Sequence, residues 1–250
     1  MRFLIELQAV KDCAYDMKYH HKLQGFIYNL LKGTVYSNIH DKRGYKFFSF
    51  SNIFPPKDVK AGVIRQLLIS SPDRNFMKIL KDKLDIFKKE GKTVNIGEML
   101  FEVKNIFILE PKLGRSCELI TGTPIVIRIP KKNYEKYEIK PPKDYDYIYW
   151  RKNYPFKAFI KQLEDSLFKK YEDFYNISVK QIQIFEQFIF KKQVCNHIII
   201  QGKEIKVFGS LWEFVFSNLD NEKRNLLQFC TECGFGELNS LGFGFMNIVR

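Results

Sequence analysis

No stretch of this sequence approaches the roughly 20 consecutive apolar residues that a membrane-spanning helix needs, so no membrane attachment is expected. The opening MRFLIELQAVKDC carries Glu6 and Lys11 within a short apolar stretch, which argues against a secretory leader as well. Cysteine is scarce: Cys13, Cys117, Cys195, Cys230 and Cys233 are odd in number and mostly isolated. That usage excludes a disulfide scaffold and predicts a reducing, cytoplasmic setting. Cys230-Thr-Glu-Cys233 is the one close pair, and a zinc site there would need two further ligands at suitable spacing. His20, His21 and His197 show no metal-ligand spacing with acidic residues, and neither a Walker-type phosphate loop nor a paired-carboxylate signature is present. The chemistry expected therefore uses no metal and no cofactor.

Negative charge is the other shortage. Lys+Arg number 41 against 28 Asp+Glu, a net +13 over 250 residues with pI ≈ 9.4. Such an excess favours phosphate contacts and predicts a polyanion partner, without saying which polymer supplies the phosphates. At 45% hydrophobic and 16% aromatic content the chain can bury a sizeable core, as one large domain or two modest ones.

The hydrophobic pattern gives one element order twice. Residues 2–10 alternate as a strand, and Leu23, Phe26, Ile27, Leu30 and Leu31 form a helical stripe that Gly33 ends. Strand-like runs at 45–54 and 62–69 flank the turn-prone Pro55-Pro56-Lys57-Asp58 and predict a hairpin. Ser71 as cap and Pro72 as first residue start a helix whose stripe is Phe76, Met77, Leu80, Leu84 and Phe87. Residues 99–109 close this half as a strand. A strand at 124–129, a helix at 154–174, strands at 179–190 and 205–216, a helix at 221–233 and a strand at 243–249 repeat the order. The expected fold is α+β, two tandem ferredoxin-like (βαββαβ) domains, an arrangement also used by RNA-recognition modules. The joint falls between Gly114 and Gly122, giving domains 1–122 and 123–250, both basic. Residues 131–152, with Pro141-Pro142 and many Tyr, Lys and Asp, read as an extended insertion whose tyrosines either stack on bases or are partly buried at the loop base.

Tyr28 lies about 140° around its helix from Leu23, off the apolar stripe, and is expected to flank solvent or a groove. His40 falls in the polar connection Asn38-Ile39-His40-Asp41-Lys42-Arg43-Gly44, and Lys46 follows as the next strand begins. Cleaving RNA without a metal requires deprotonating a 2′-OH, stabilising the phosphorane and protonating the departing 5′-oxygen. Imidazole, with an unperturbed pKa of about 6.5, moves protons at neutral pH; an ammonium group neutralises the anion; a phenol orients the nucleophile. A loop histidine followed by lysines is also a common solvated surface, and an off-stripe tyrosine commonly packs at a core edge. Near the C-terminus, Gly234, Gly236, Gly242 and Gly244 lie between the last predicted helix and strand. Either their N–H groups cradle phosphates or they allow a tight connection.

The tail GFGELNSLGFGF resembles the glycine-rich signature of the repeat-processing RAMP proteins, in particular the CRISPR-associated endoribonucleases of the Cas six family. The MRFLIEL start, the helix segment LQGFIYNLL and His40-Asp-Lys-Arg-Gly-Tyr-Lys46 are similar to that family's first domain; the middle of the chain matches in element order. The resemblance implies two ferredoxin-like domains that cut precursor CRISPR RNA within each repeat by 2′-OH attack, leaving 5′-hydroxyl and 2′,3′-cyclic phosphate ends. Carried over residue by residue, the family's helix tyrosine falls on Tyr28, its loop histidine on His40 and its lysine at the start of the next strand on Lys46. Tyr28 and His40 would share proton transfer, Lys46 would stabilise the pentacovalent phosphate, and His21 is the substitute should His40 not serve. Lys42 and Arg43 would contact RNA, and the four glycines would support RNA binding or the second domain's fold. CRISPR repeat RNA is the implied partner of a monomer or homodimer, with subunits of a CRISPR effector complex beside it. The rival reading is a catalytically inactive repeat-RNA-binding RAMP subunit of such a complex, against which an intact Tyr28, His40 and Lys46 speaks.

Overall fold

Alternation of apolar residues places β1 (Arg2–Ala9) at the centre of a sheet, with Phe3, Ile5, Leu7 and Ala9 all buried. The computed structural model describes residues 1–141, 143–200 and 202–249. Its first compact unit comprises Met1–Pro111 with His197–Ile205 and Ser240–Gly242. There β2 (Ser49–Phe50), β3 (Ile64–Ser70), β4 (Thr93–Ile96) and β5 (Met99–Leu109) join β1 in an antiparallel sheet of order β2-β3-β1-β5-β4. Ile5 stands opposite Leu67 on one side and Ile106 on the other. Helices α1 (His20–Leu30) and α2 (Arg74–Lys89) contribute Leu23, Phe26, Ile27, Phe76, Met77, Leu80 and Leu84 to the core beside it.

The cap of α2 differs from expectation by two residues. Asp73, not Ser71, is the N-cap, its Oδ1 accepting from Phe76 N at 3.0 Å, while Ser71 Oγ accepts from Asp73 N at 3.1 Å and shapes the approach. Both are capping residues, and the carboxylate adds a favourable charge at the positive end of the helix. The expected hairpin forms, but β2 keeps only Ser49–Phe50 in the ladder, and β4 was not foreseen.

The second unit comprises Lys112–Asn196, Lys206–Asn239 and Phe243–Arg250. Its sheet has the order β11-β6-β10-β9, from β6 (Cys117–Thr121), β9 (Gln187–Ile200), β10 (Lys203–Phe216) and β11 (Met246–Ile248). Helices α3 (Phe156–Tyr175) and α4 (Asn221–Cys233) complete a second ferredoxin-like arrangement. The first strand of this sheet is β6 rather than the expected 124–129, because Ile125 and Val126 make only isolated bridges to Ser210 and Glu237. Likewise β9 begins at Gln187, not near 179. The insertion at 131–152 is ordered locally: β7 (Arg128–Pro130) pairs with β8 (Tyr147–Tyr149), and Tyr134 and Tyr137 are buried. Pro142 lies outside the described residues.

Candidate functional site

Tyr28 sits near the end of α1, and a short 3-10 turn at Ser37–Ile39 returns the chain so that His40 reaches it. The two rings meet edge-on, centroids 5.6 Å apart at 89°. Lys46 Nζ lies over the Tyr28 ring, 5.6 Å from its centroid, and donates to the carbonyl oxygens of Ile39 at 3.0 Å and His40 at 2.7 Å. The lysine thus clamps the turn that carries the histidine. His40 itself is exposed, with Nδ1 2.8 Å from Asp41 Oδ1.

Tyr28 departs from the sequence reading. It is only 9% exposed and also packs edge-on against Phe48. Its hydroxyl faces Ser240 without reaching hydrogen-bonding geometry, and burial pushes the phenol up to about 12. Burial also pulls the Lys46 ammonium below its usual range, with Asp41 opposing and Lys42 adding to the shift. Beside Lys46 opens a cleft of about 470 Å3 lined by Tyr36, Ile39, Lys42, Phe47 and Phe76 among others. Lys42 Nζ lies 5.1 Å from the Phe47 ring centroid, and Arg43 is exposed. His21, two turns before Tyr28 on α1, is about 10 Å away along the helix axis.

The glycine-rich tail is committed to packing. Gly242 has φ +82, and a Cβ there would come within 2.2 Å of the Phe50 ring. Gly244 has φ +69, and a Cβ would meet Phe235 O at 1.9 Å. Positive φ strains a side chain at both positions, and one would have to displace the Phe50 ring at 242 or the Phe235 backbone at 244. Ser240–Gly242 belongs to the first unit, where His20 Nδ1 lies 2.9 Å from Leu241 O and Gln24 Nε2 donates to Ser240 O at 2.9 Å. In the second unit the carbonyls of Gly234 and Gly236 accept from Lys170 Nζ at 2.8 and 2.5 Å, and Asn239 Oδ1 accepts at 2.7 Å. Lys170 is 1% exposed. Sequence reasoning missed it, although its place after Phe159, Leu163 and Leu167 on the buried stripe of α3 is a readable signal.

Among the described residues no group of three or more His, Cys, Asp or Glu is placed to hold a metal ion, and no helix is long and apolar enough to cross a membrane. Cys230 and Cys233 are both buried in α4.

Residues 109–248 match the family model for the CRISPR associated protein Cas6, C-terminal. A CRISPR-associated endoribonuclease Cas6 2 of Methanocaldococcus jannaschii is 33% identical over 261 residues, covering 100% of both chains. A CRISPR-associated endoribonuclease Cas6 of Haloferax mediterranei is 30% identical over 259 residues, covering 100% of this chain and 94% of the relative. The solved structure of a CRISPR associated protein Cas6 superimposes with a TM-score of 0.72 at 25% identity, covering 100% of this chain and 99% of the other. With identity running the whole length, and with both units built on the ferredoxin-like plan, the chain belongs to the Cas6 family of CRISPR-associated endoribonucleases.

Proposed function

We propose that this protein cuts precursor CRISPR RNA within its repeats by a metal-independent reaction centred on Tyr28, His40 and Lys46. The observation that carries this reading is the meeting of a phenol, an imidazole and an ammonium group in one unit. The 2′-oxygen bonds to phosphorus as the bond to the 5′-oxygen breaks; the nucleophile's proton leaves and the leaving oxygen gains one, giving 2′,3′-cyclic phosphate and 5′-hydroxyl ends. His40, exposed at the surface, is the group that exchanges protons. Lys46, held by two carbonyls, stabilises the charge that develops on the phosphorane. Tyr28 is held protonated by burial, and its hydroxyl, without a partner among the described residues, is a donor for the reacting RNA rather than a base.

The test is incubation with end-labelled repeat RNA in excess EDTA, beside a copy carrying one 2′-deoxy substitution at the cut site. Single-site cleavage that the deoxy change abolishes supports the reading. Loss of cleavage in EDTA, with recovery on adding a divalent cation, overturns it.

Two further outcomes are expected. A phenol at about 12 does not titrate between about pH 6 and 10, so Tyr28→Phe should lower the single-turnover rate without changing the shape of its pH profile over that range. A new or lost inflection would return Tyr28 to a proton-transfer role. Lys42 lines the cleft and Arg43 is the next residue along, both exposed, so replacing both by Ala should weaken repeat-RNA binding. The slope of log K against log salt should become shallower by about 0.7 for each single-strand phosphate that the two side chains neutralise. An unchanged slope removes these two residues from the RNA-binding surface.

A further inference from the structure

The β7–β8 ribbon builds a second aromatic site, in the other unit from the trio. In β8 the side-chain period of two puts Tyr147 and Tyr149 on one face while Ile148 turns inward and is buried. The two rings meet at 5.6 Å, inclined at 81°. Arg128, across the ladder from Tyr149, lays its guanidinium 4.9 Å from the Tyr147 centroid and is tethered from behind by an ion pair with Glu237. Tyr145, Tyr154, Arg151 and Lys206 complete the walls of a cleft of about 500 Å3, to which Asp146 adds an acid. Arg151 itself stacks on Phe208 at 3.9 Å.

A folded core has no use for tyrosines on this surface: Tyr145 is 46% and Tyr147 40% exposed, while Tyr134 and Tyr137 of the same insertion are buried. Exposed ring faces interleaved with Arg and Lys suit a nucleobase above the ring and its phosphate beside the cation. A base inside a duplex offers its edge but not its face, so the occupant must be unpaired.

We propose that the cleft of Tyr145, Tyr147, Tyr149 and Arg151 is a base-stacking site for an unpaired nucleotide of RNA. It rests on the RNA-cutting reading only for its biological ligand, because the stacking chemistry is indifferent to base identity and to cleavage. The site adds affinity and holds a single-stranded segment, and takes no part in the bond-breaking step.

The experiment uses the full chain with Tyr147→Leu/Tyr149→Leu and Tyr147→Phe/Tyr149→Phe. Leucine keeps apolar bulk on the ribbon and removes the ring; phenylalanine keeps the ring and removes the hydroxyl. Binding is measured to repeat RNA and to a short oligouridine, and photocrosslinks from 4-thiouridine are mapped by peptide. The leucine pair should raise Kd for both RNAs by about fivefold to about 100-fold. The phenylalanine pair should stay within about threefold of wild type, and crosslinks should map to residues 143–154. If wild type cuts repeat RNA while the leucine pair binds as tightly as wild type and no crosslink falls in 143–154, the stacking site is wrong and the cleavage reading stands. If wild type crosslinks oligouridine in 143–154 with affinity that the leucine pair loses, but cuts no repeat RNA, the stacking site stands and the cleavage reading fails.

Discussion

His40→Ala should cut repeat RNA about 10²- to 10⁴-fold more slowly than wild type in single turnover at saturating protein, with Kd within about threefold. The size follows from losing the group proposed to exchange protons, and the retained affinity from the exposure of the side chain, whose removal leaves no cavity. Lys46→Ala should also be severe, since it removes an oxyanion-stabilising charge and at the same time releases the carbonyls of residues 39 and 40. Because Lys46 fixes the turn on which His40 stands, the two effects should not add: the double variant should be little slower than the worse single one. His21→Ala is the control, with a rate close to wild type, because the helix axis separates it from Tyr28 by two turns. If His40→Ala cuts at the wild-type rate, the centre is misassigned and His21 becomes the residue to test.

What the sequence made legible is what local physics decides. Two helices and one strand were readable almost to the residue: the stripe of α2 through Phe76, Met77, Leu80 and Leu84, α4 at Asn221–Cys233 and β5 at Met99–Leu109. Each carries strong periodicity with a cap or turn at its end. β4 was missed because four residues joined to β5 through Gly97-Glu98 give too short an alternation to register. The first strand of the second sheet was misplaced from β6 to 124–129 because Pro124-Ile-Val-Ile is the more apolar run. That run is indeed buried, but it pairs only through isolated bridges, and burial without a ladder looks the same in sequence. At the candidate site the residue types and their order were readable, whereas the burial of Tyr28 was not. Its angle on the helix predicted a groove, but Phe48 and the returning turn at 37–40 cover it, a tertiary effect that no wheel records. The run of glycines was visible in the sequence, but the close approach of Gly242 to Phe50 and of Gly244 to Phe235 is a tertiary contact that no local pattern carries.

Lys170→Met should destabilise the protein by about 2–4 kcal/mol, read as a lower urea midpoint with the m-value unchanged and a melting temperature lower by on the order of 10 °C. Two opposing terms set this. Placing an ammonium group in the interior costs desolvation, and burial pulls the Lys170 amine below its usual range, so removing the charge recovers something. Removing it also leaves Gly234 O and Asn239 Oδ1 without their ammonium donor, at about 1–3 kcal/mol each, while Gly236 O keeps the Ser166 hydroxyl at 3.2 Å. A buried ion pair can be exchanged for apolar side chains at little loss because both partners are replaceable, whereas two of the acceptors here are backbone atoms that no substitution removes. The second term therefore wins. Asn239 extends the damage: its Nδ2 donates to Phe235 O at 3.0 Å and Phe243 O at 2.9 Å, so one side chain ties both ends of the glycine-rich connection to the ammonium. Lys170→Gln, which keeps a donor at shorter reach, should fall between wild type and Met. A Met variant as stable as wild type would mean that the loop satisfies its own carbonyls. The glycines alone would then set its conformation.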